Sequence, residues 1–288
     1  MAEGRIVKGI AGFYYVDCGG AVYECKAKGI FRKDGTKPLP GDRVVISVFG
    51  EEGSIDTILP RKNELIRPSV ANVDQALVVF AVKDPDPSFG LLDRMLIMMG
   101  VVGLPVLIVF NKEDLSSKLC THYSSIYEKA GYRVLPVSAR TGEGIDTLGE
   151  FLRGKTTTVA GPSGVGKSSI LNALTGCELM QAGELSEKLG RGKHTTRHSE
   201  LFRIAEDSYL IDTPGFGSLD LPRMGKDELQ KYYPEFADYT GECRFSPCSH
   251  THEPDCGVKR AVEKGLVGEE RYKGYTKLYS ELEQRGRI

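Results

Sequence analysis

The sequence predicts a multi-domain chain with an N-terminal β-barrel, a central α/β domain built on a mostly parallel sheet, and a C-terminal, mainly helical, metal-binding module. Short β-branched stretches separated by turn residues predict the barrel. Near-continuous apolar runs that alternate with helical patterns predict the α/β domain. A cluster of cysteine and histidine among charged, helix-forming segments predicts the module. The expected domains are residues 1–68, 69–222 and 223–288.

Composition limits the class of protein. A chain of 288 residues that is 40% hydrophobic, with a net charge of −1, indicates a globular protein without a globally basic surface. The N-terminus has no apolar signal segment, and the longest apolar run, residues 95–110, is shorter than the roughly 20 residues of a membrane span. Seven cysteines, three of them between positions 243 and 256, favour a reduced compartment and a metal site. We therefore expect a cytoplasmic protein that does not enter a membrane.

In the barrel segment, strands are predicted at residues 13–16, 21–25 and 43–48, with glycine- and proline-containing turns between them. An OB-fold is the expected barrel, although an SH3-like barrel would leave nearly the same pattern. The segment carries basic side chains that could contact RNA phosphates and that are equally ordinary as solvated charges. They are Lys26, Lys28, Arg32, Lys33, Lys37, Arg61 and Lys62.

The α/β domain is predicted from alternating buried strands and helices, which are typical of a doubly wound sheet. The predicted strands are residues 75–82, 105–110, 132–137, 155–160, 201–205 and 209–211. The predicted helices are residues 91–99, 122–130, 145–152 and 167–174. After about residue 222 a helix is expected at residues 272–287.

A phosphate-binding loop follows the strand at residues 155–160 and opens a helix. It fits the pattern G-x-x-x-x-G-K-[ST], in which backbone N–H groups surround phosphates at a helix N-terminus. Lys167 is expected to reach the β- and γ-phosphates as a catalytic group, and the Ser168 hydroxyl to bind Mg²⁺. The expected nucleotide contacts of this segment are Gly161, Pro162, Ser163, Gly164, Val165, Gly166, Lys167, Ser168 and Ser169.

A second phosphate-side motif, D-T-P-G at residues 212–215, follows the last predicted strand. Asp212 would hold Mg²⁺ directly or through water, and the Gly215 N–H would sense the γ-phosphate. Alone, this pattern is a common turn, so its interpretation depends on the phosphate loop upstream.

The motif N-K-E-D at residues 111–114 predicts guanine recognition. Asp114 can accept hydrogen bonds from the guanine N1–H and exocyclic amine, which adenine does not offer. Asn111 would tie the base loop to the phosphate loop, and the stem of Lys112 would pack over the base. The alternative is a charged turn in which Asp114 caps a helix. Ser138 and Ala139, one strand later, are the expected companions and would give a backbone N–H to the guanine oxygen.

The guanine motifs precede the phosphate loop along the chain, whereas in Ras-like GTPases they follow it. The site depends on where strand ends lie in space, so either chain order can assemble it. The sequence therefore predicts a circularly permuted P-loop GTPase that binds GTP or GDP with Mg²⁺.

Residues 190–196, G-R-G-K-H-T-T, suit a switch loop that closes on Mg²⁺ and the γ-phosphate; a basic surface loop is the alternative. Thr196 is the first choice for the metal ligand and Thr195 the second. Phe216 stands where Ras-like proteins carry a water-orienting Gln. We hypothesise that His194 positions the attacking water; a structural or partner-contact role is the alternative.

A metal site is predicted from Cys243, Cys248, His250 and Cys256. Three thiolates and one imidazole form a closed tetrahedral set, which favours a structural Zn²⁺ over a catalytic metal. His252 is the rival imidazole ligand. Spacing favours His250.

With these motifs assembled, the chain resembles the RsgA/YjeQ family of circularly permuted GTPases that depend on the small ribosomal subunit. The resemblance covers essentially the whole chain, includes an N-terminal OB barrel, and also favours His250 over His252. The matching segments are NKED at 111–114, GPSGVGKS at 161–168, GRGKHTT at 190–196, DTPGF at 212–216 and CRFSPCSHTHEPDC at 243–256.

The resemblance implies a role in late maturation of the small ribosomal subunit. The subunit would stimulate hydrolysis, the barrel and zinc module would touch ribosomal RNA, and GTP turnover would drive release; a monomer is expected. The alternative is an RNA-binding protein whose G domain binds nucleotide only to set affinity. The intact set Lys167, Ser168, Asp212 and Thr196 favours the enzyme. A membrane-associated signalling GTPase is disfavoured, because the sequence shows no lipidation motif.

Overall fold

The N-terminal barrel is closed. A computed structural model describes residues 1–29, 31, 35–65, 69–176, 199–212 and 221–285 of the chain, without the side chain of Asp212. The barrel strands are β1 (Ala2–Ile10), β2 (Phe13–Cys18), β3 (Ala21–Ala27), β4 (Arg43–Phe49) and β5 (Glu52–Ile58). Their order is β1-β2-β3-β5-β4, with β4 pairing back to β1 and β3 parallel to β5. This is the strand order of an OB-fold, as predicted.

Strands β1 and β5 are not predicted from the sequence, because glycines and charged residues interrupt their patterns. Close packing between strands explains two of these glycines. A Cβ atom on Gly4 would lie 2.5 Å from the Cys18 Sγ, and one on Gly53 would lie 2.7 Å from the Cys25 Sγ. The barrel core consists of buried Ile6, Val16, Cys25, Val44, Ile46 and Ile55.

A short two-stranded ribbon, β6 (Glu64–Leu65) with β7 (Val70–Ala71), joins the barrel to the α/β domain. The predicted boundary between residues 68 and 69 falls inside this ribbon. The two predicted domain boundaries, after residues 68 and 222, stay predictions.

The α/β domain has the predicted alternation of strands and helices. Its strands are β8 (Gln75–Ala81), β9 (Val106–Asn111), β10 (Arg133–Pro136), β11 (Thr156–Ala160), β12 (Glu200–Ala205) and β13 (Ser208–Asp212). Its helices are α1 (Phe89–Val101), α2 (Ser117–Lys129), α3 (Ile145–Leu152) and α4 (Lys167–Thr175). Helix α2 begins five residues before its predicted start, where the Ser116 side chain accepts a hydrogen bond from the Leu119 N–H at 3.3 Å.

The sheet order in this domain is β10-β9-β8-β11-β13-β12. Neighbours from β10 to β13 run parallel, and only β12 among them is antiparallel. Strand β8 is buried along its whole length, and its side chains alternate between two cores. Helices therefore cover both faces of the sheet, as its continuous apolar pattern predicts.

The C-terminal module is mainly helical. It contains 3₁₀ turns at Lys226–Tyr232 and Pro234–Phe236 and helices α5 (Ala237–Thr240), α6 (Gly257–Glu263) and α7 (Glu269–Arg285). Helix α7 begins three residues before its predicted start. Within the described part of the chain, no helix is both long enough and apolar enough to cross a lipid bilayer.

The barrel extends the α/β sheet, because β1 pairs with β12 through Lys8 and Glu200. A buried hydrogen bond strengthens this junction: the Tyr209 hydroxyl donates to the Asp17 carboxylate at 2.9 Å. The two sheets thus form one continuous 11-stranded structure.

The C-terminal module is attached by a buried ionic cluster. Arg271 of α7 is 1% exposed and donates to Asp93 of α1 at 2.5 Å and to Glu235 at 2.7 Å. Its guanidinium lies 4.3 Å from the centre of the Tyr233 ring, and the Tyr127 hydroxyl of α2 donates to Asp93 at 3.1 Å. The buried cluster therefore joins helices α1, α2 and α7 and the 3₁₀ turn Pro234–Phe236, which belong to two domains.

We expect Asp93→Ala to lower the free energy of unfolding by about 3 to 5 kcal/mol, because Arg271 would keep a buried charge with one of its two carboxylates gone. Urea denaturation measures this. The matched control is Arg94→Ala, which breaks an ion pair with Glu281 between the same two helices at a partly exposed position. Its expected cost is no more than about 1 kcal/mol, and equal losses in the two variants would contradict the assignment.

Candidate nucleotide and metal sites

The predicted nucleotide motifs meet at one edge of the sheet. The guanine motif follows β9, Ser138 follows β10, the phosphate loop follows β11, and Asp212 ends β13. These strands are parallel, so their carboxyl ends lie side by side. That edge is where doubly wound α/β domains bind ligands.

Asn111 connects three of these segments. It is 2% exposed, and its Nδ2 donates to the Val165 carbonyl of the phosphate loop at 2.8 Å. Its Oδ1 accepts from the Ala139 N–H at 3.1 Å. One buried amide therefore holds the guanine loop, the phosphate loop and the Ser138–Ala139 turn together, and its donor and acceptor are both used.

At two positions of the phosphate loop any side chain would clash with a neighbour, and the backbone conformation there also favours glycine. Gly161 has φ +147°, and a Cβ there would lie 2.2 Å from the Val79 carbonyl oxygen of β8. Gly166 has φ +94°, and a Cβ there would lie 2.2 Å from the Asn111 Nδ2. The loop thus passes so close to its neighbours that only glycine fits.

Both motif lysines lie over the phosphate loop. The Lys112 Nζ donates to the Gly164 carbonyl at 2.9 Å and also to the Asp84 carbonyl. The Lys167 Nζ donates to the carbonyls of Gly161 at 2.9 Å and Pro162 at 2.6 Å. The two ammonium groups, which come from motifs about 50 residues apart in sequence, are placed on one loop.

Helix α4 begins at Lys167, with Gly166 as its N-cap. Its first N–H groups and its dipole make this end favourable for an anion. Ser168 is buried at 7% exposure in the first turn, whereas Ser163 of the loop and Ser169 are exposed.

The Asp114 carboxylate is held by two groups. Its Oδ1 accepts from the Ser138 hydroxyl at 2.5 Å, and its Oδ2 accepts from the Arg140 Nε at 3.0 Å and Nη2 at 2.5 Å. These hydrogen bonds, that of Ser138 first, lower the pKa of Asp114, so the group is ionised at neutral pH. Sequence reasoning does not identify Arg140. Its position two residues after Ser138 is the only local signal.

Several predicted site residues lie outside the described residues. They are His194, Thr195, Thr196, Gly215 and Phe216. The backbone of Asp212 ends β13 next to β11, but its side chain is not described.

The predicted metal ligands converge. One donor atom each from Cys243, Cys248, His250 and Cys256 lie within 4.8 Å of one another. The Sγ atoms of Cys243 and Cys256 are 3.8 Å apart, and the His250 Nδ1 lies 3.5 Å and 3.3 Å from them. Zinc bonds of about 2.3 Å to sulfur and about 2.0 Å to nitrogen in a tetrahedron give separations of about 3.8 Å and about 3.5 Å. The cluster therefore fits a tetrahedral metal ion; His252 is exposed and is not part of it.

The surroundings of the cluster fix its ligands. The His250 Nε2 lies 2.9 Å from the Gln230 Oε1, which orients the ring so that Nδ1 faces the sulfurs. The Gly257 N–H donates to the Cys243 sulfur at 3.3 Å. Burial raises the pKa of the Cys248 thiol to about 12, so a bound cation is needed to keep it as a thiolate. Gln230 lies 20 residues before His250, and no spacing rule identifies it.

Comparison with known proteins extends these observations. A family model described as RsgA GTPase matches residues 58–222, and one described as RsgA N-terminal domain matches residues 3–55. A protein of Agathobacter rectalis, named small ribosomal subunit biogenesis GTPase RsgA, is 54% identical over 98% of both chains. A protein of the same name from Alkaliphilus metalliredigens is 47% identical over the full length of both chains.

Two solved structures have the same architecture. The crystal structure of YjeQ from Thermotoga maritima has a TM-score of 0.80 at 38% identity and covers 98% of each chain. YloQ, described as a circularly permuted GTPase, has a TM-score of 0.78 at 34% identity, over 99% of this chain and 96% of that chain. The predicted fold class and circular permutation are confirmed.

We expect Gly166→Ala to displace Asn111 and to lower the free energy of unfolding. The control is Gly154→Ala, because Gly154 also has a positive φ of +68° but open space around its Cβ position. Both variants carry the left-handed backbone cost of about 1 to 2 kcal/mol. Gly166→Ala is expected to lose a further 1 to 3 kcal/mol or so, because the buried Asn111 amide loses its partner. Equal unfolding free energies, measured in urea, would contradict this.

Proposed function

The chain belongs to the RsgA family of GTPases, and from this premise we propose that the small ribosomal subunit stimulates its hydrolysis of GTP to GDP and phosphate, and that the reaction acts in late maturation of that subunit. The observation that carries the nucleotide part is the Asn111 amide, which bonds to the phosphate loop on one side and to Ala139 on the other. The names of the relatives support the small ribosomal subunit as the partner.

In this proposal, guanine is recognised at the Asp114 carboxylate, with Asn111 positioning the base loop and the stem of Lys112 lying along the base. The Ala139 N–H donates to the Asn111 Oδ1 in the structure, and in this proposal it would change partner to meet the guanine oxygen. Adenine has neither the N1–H nor the exocyclic amine at that edge, so the buried polar groups would reject it.

The triphosphate is proposed to lie on the loop of residues 161–168 and the first turn of α4. Lys167 would then exchange its loop carbonyl partners for the β- and γ-phosphate oxygens. Mg²⁺ would be bound by Ser168 and Thr196, with Asp212 nearby, and Gly215 would sense the γ-phosphate. Mg²⁺ supplies charge neutralisation at the phosphates.

For hydrolysis, we propose that His194 orients the attacking water, because Phe216 has no group able to do so. The support is the position of His194 beside the two threonines of the switch motif. If His194→Ala keeps full subunit-stimulated turnover, this role is wrong.

The barrel is proposed to touch ribosomal RNA. Lys26 lies 5.1 Å from the centre of the Phe13 ring, and Phe49 is 71% exposed, so both cationic and aromatic surfaces are available to a nucleic acid. Arg61 is less suited than predicted, because its guanidinium is held by buried Asp42 and by Glu64. Arg32 and Lys33 lie outside the described residues.

The deciding experiment measures GTP hydrolysis with increasing small subunits, large subunits and naked RNA in parallel. Only small subunits are expected to raise turnover, and a tenfold excess of ATP is expected to leave GTP hydrolysis unchanged. Lys167→Ala is the inactive control, with an expected loss of at least about 100-fold, since transition-state charge would be unpaired. Equal stimulation by large subunits would reject the proposed partner, and inhibition by ATP would reject the guanine site.

The proposed cytoplasmic location follows from the proposed partner, the small ribosomal subunit. Light scattering tests the predicted monomer.

The Cys₃His cluster is proposed to hold one structural Zn²⁺. We expect purified protein to contain about one zinc per chain and His250→Ala to lose it, with a fall in thermal stability, because the ion contributes folding free energy. Elemental analysis and thermal unfolding measure the two effects. His252→Ala is the matched control and is expected to keep the metal. Loss of zinc from His252→Ala alone would reverse the ligand assignment.

A further inference from the structure

Arg140 occupies the carboxylate proposed to recognise guanine. Two N–H groups of its guanidinium donate to Asp114 Oδ2, at 3.0 Å from Nε and 2.5 Å from Nη2. Ser138 donates to the other oxygen, Oδ1, at 2.5 Å. The Asp114 side chain is 10% exposed, whereas that of Arg140 is 74% exposed. The exposed arginine therefore pairs with a carboxylate that is largely shielded from solvent.

Guanine presents the same chemical group. Its N1–H and its exocyclic amine belong to a guanidine unit within the ring, so it offers a carboxylate two parallel donors in one plane. An arginine side chain offers a carboxylate the same arrangement. An ionised carboxylate accepts about four hydrogen bonds, and Asp114 already accepts three, two of them from Arg140 on one oxygen. Guanine needs both oxygens, so it cannot make its full contact while Arg140 keeps Oδ2.

We propose that Arg140 mimics the guanine edge: it occupies Oδ2 of Asp114 while no base is bound and gives up Oδ2 when the base arrives. This deepens the proposed function, on which it rests. Arg140 thus competes with guanine for one oxygen, whereas Ser138, buried and bonded to the other oxygen, keeps the carboxylate in place in either condition.

The exchange sets the strength of guanine binding. An exposed ion pair is weak, so guanine can displace Arg140, but part of the binding free energy is used in breaking that pair. A base with only one donor at this edge does not need Oδ2. Hypoxanthine has the N1–H but no exocyclic amine, so it can bind at Oδ1 while Arg140 stays. The free energy needed to break the Arg140–Asp114 pair therefore weakens the binding of guanine more than that of hypoxanthine.

The test compares GDP and inosine diphosphate binding by wild type and Arg140→Ala, using stopped-flow fluorescence for rates and calorimetry for Kd. Arg140→Ala is expected to bind GDP about two- to fivefold more tightly, chiefly through faster association, with a smaller gain for inosine diphosphate. The difference should shrink at high ionic strength, which screens the exposed pair in wild type. Arg140→Lys, which keeps the charge but not the planar pair of donors, should fall between the two.

Arg153→Ala is the control: Arg153 is an exposed arginine at the end of α3 in the same domain, and wild-type binding is expected. The inference is overturned if Arg140→Ala binds GDP no more tightly than wild type does. It is also overturned if the affinities for GDP and inosine diphosphate rise by the same factor. In either case Arg140 does not compete with guanine, and the proposed function stands. If wild type itself binds neither guanine nucleotide, both the inference and the proposed function fail.

Discussion

The proposed nucleotide site depends on one buried amide. Asn111 ends β9, yet its two polar atoms bond to segments that follow β10 and β11, so three loops from three strands take up one arrangement. A donor and an acceptor on a planar group fix both distance and direction. These two bonds join loops at the carboxyl ends of parallel strands in one sheet, so they form whichever loop comes first in the chain. That is the physical reason a permuted order can preserve a guanine site.

The flanking modules are attached to the central domain by different means. The barrel joins by a strand pair and the buried Tyr209–Asp17 hydrogen bond, so it continues the sheet beyond β12. The C-terminal module joins through Arg271, whose charge is balanced by one carboxylate from its own side and one from α1. Buried charges of this kind require their partners, and they therefore hold the two domains in one relative placement.

Local pattern identifies most of the central domain because each strand and helix there carries a long periodic signal. It fails for β1 and β5, where Gly4 and Gly53 serve contacts with Cys18 and Cys25 on other strands. It also fails for residues that support the sites. Gln230 orients His250 and Arg140 holds Asp114, but neither belongs to a motif, because each is chosen by a distance in space.

The sequence alone determined the chemistry: a phosphate loop, a guanine motif, a metal donor set and the fold class, each carried by residues close together in the chain. Only the tertiary structure decided how these pieces meet. It closed the barrel by pairing β4 with β1, brought Asn111 onto the phosphate loop and placed Arg271 beside Asp93. Short motifs act through local geometry, whereas these contacts join residues up to 178 positions apart, and their partners are set by packing rather than by spacing.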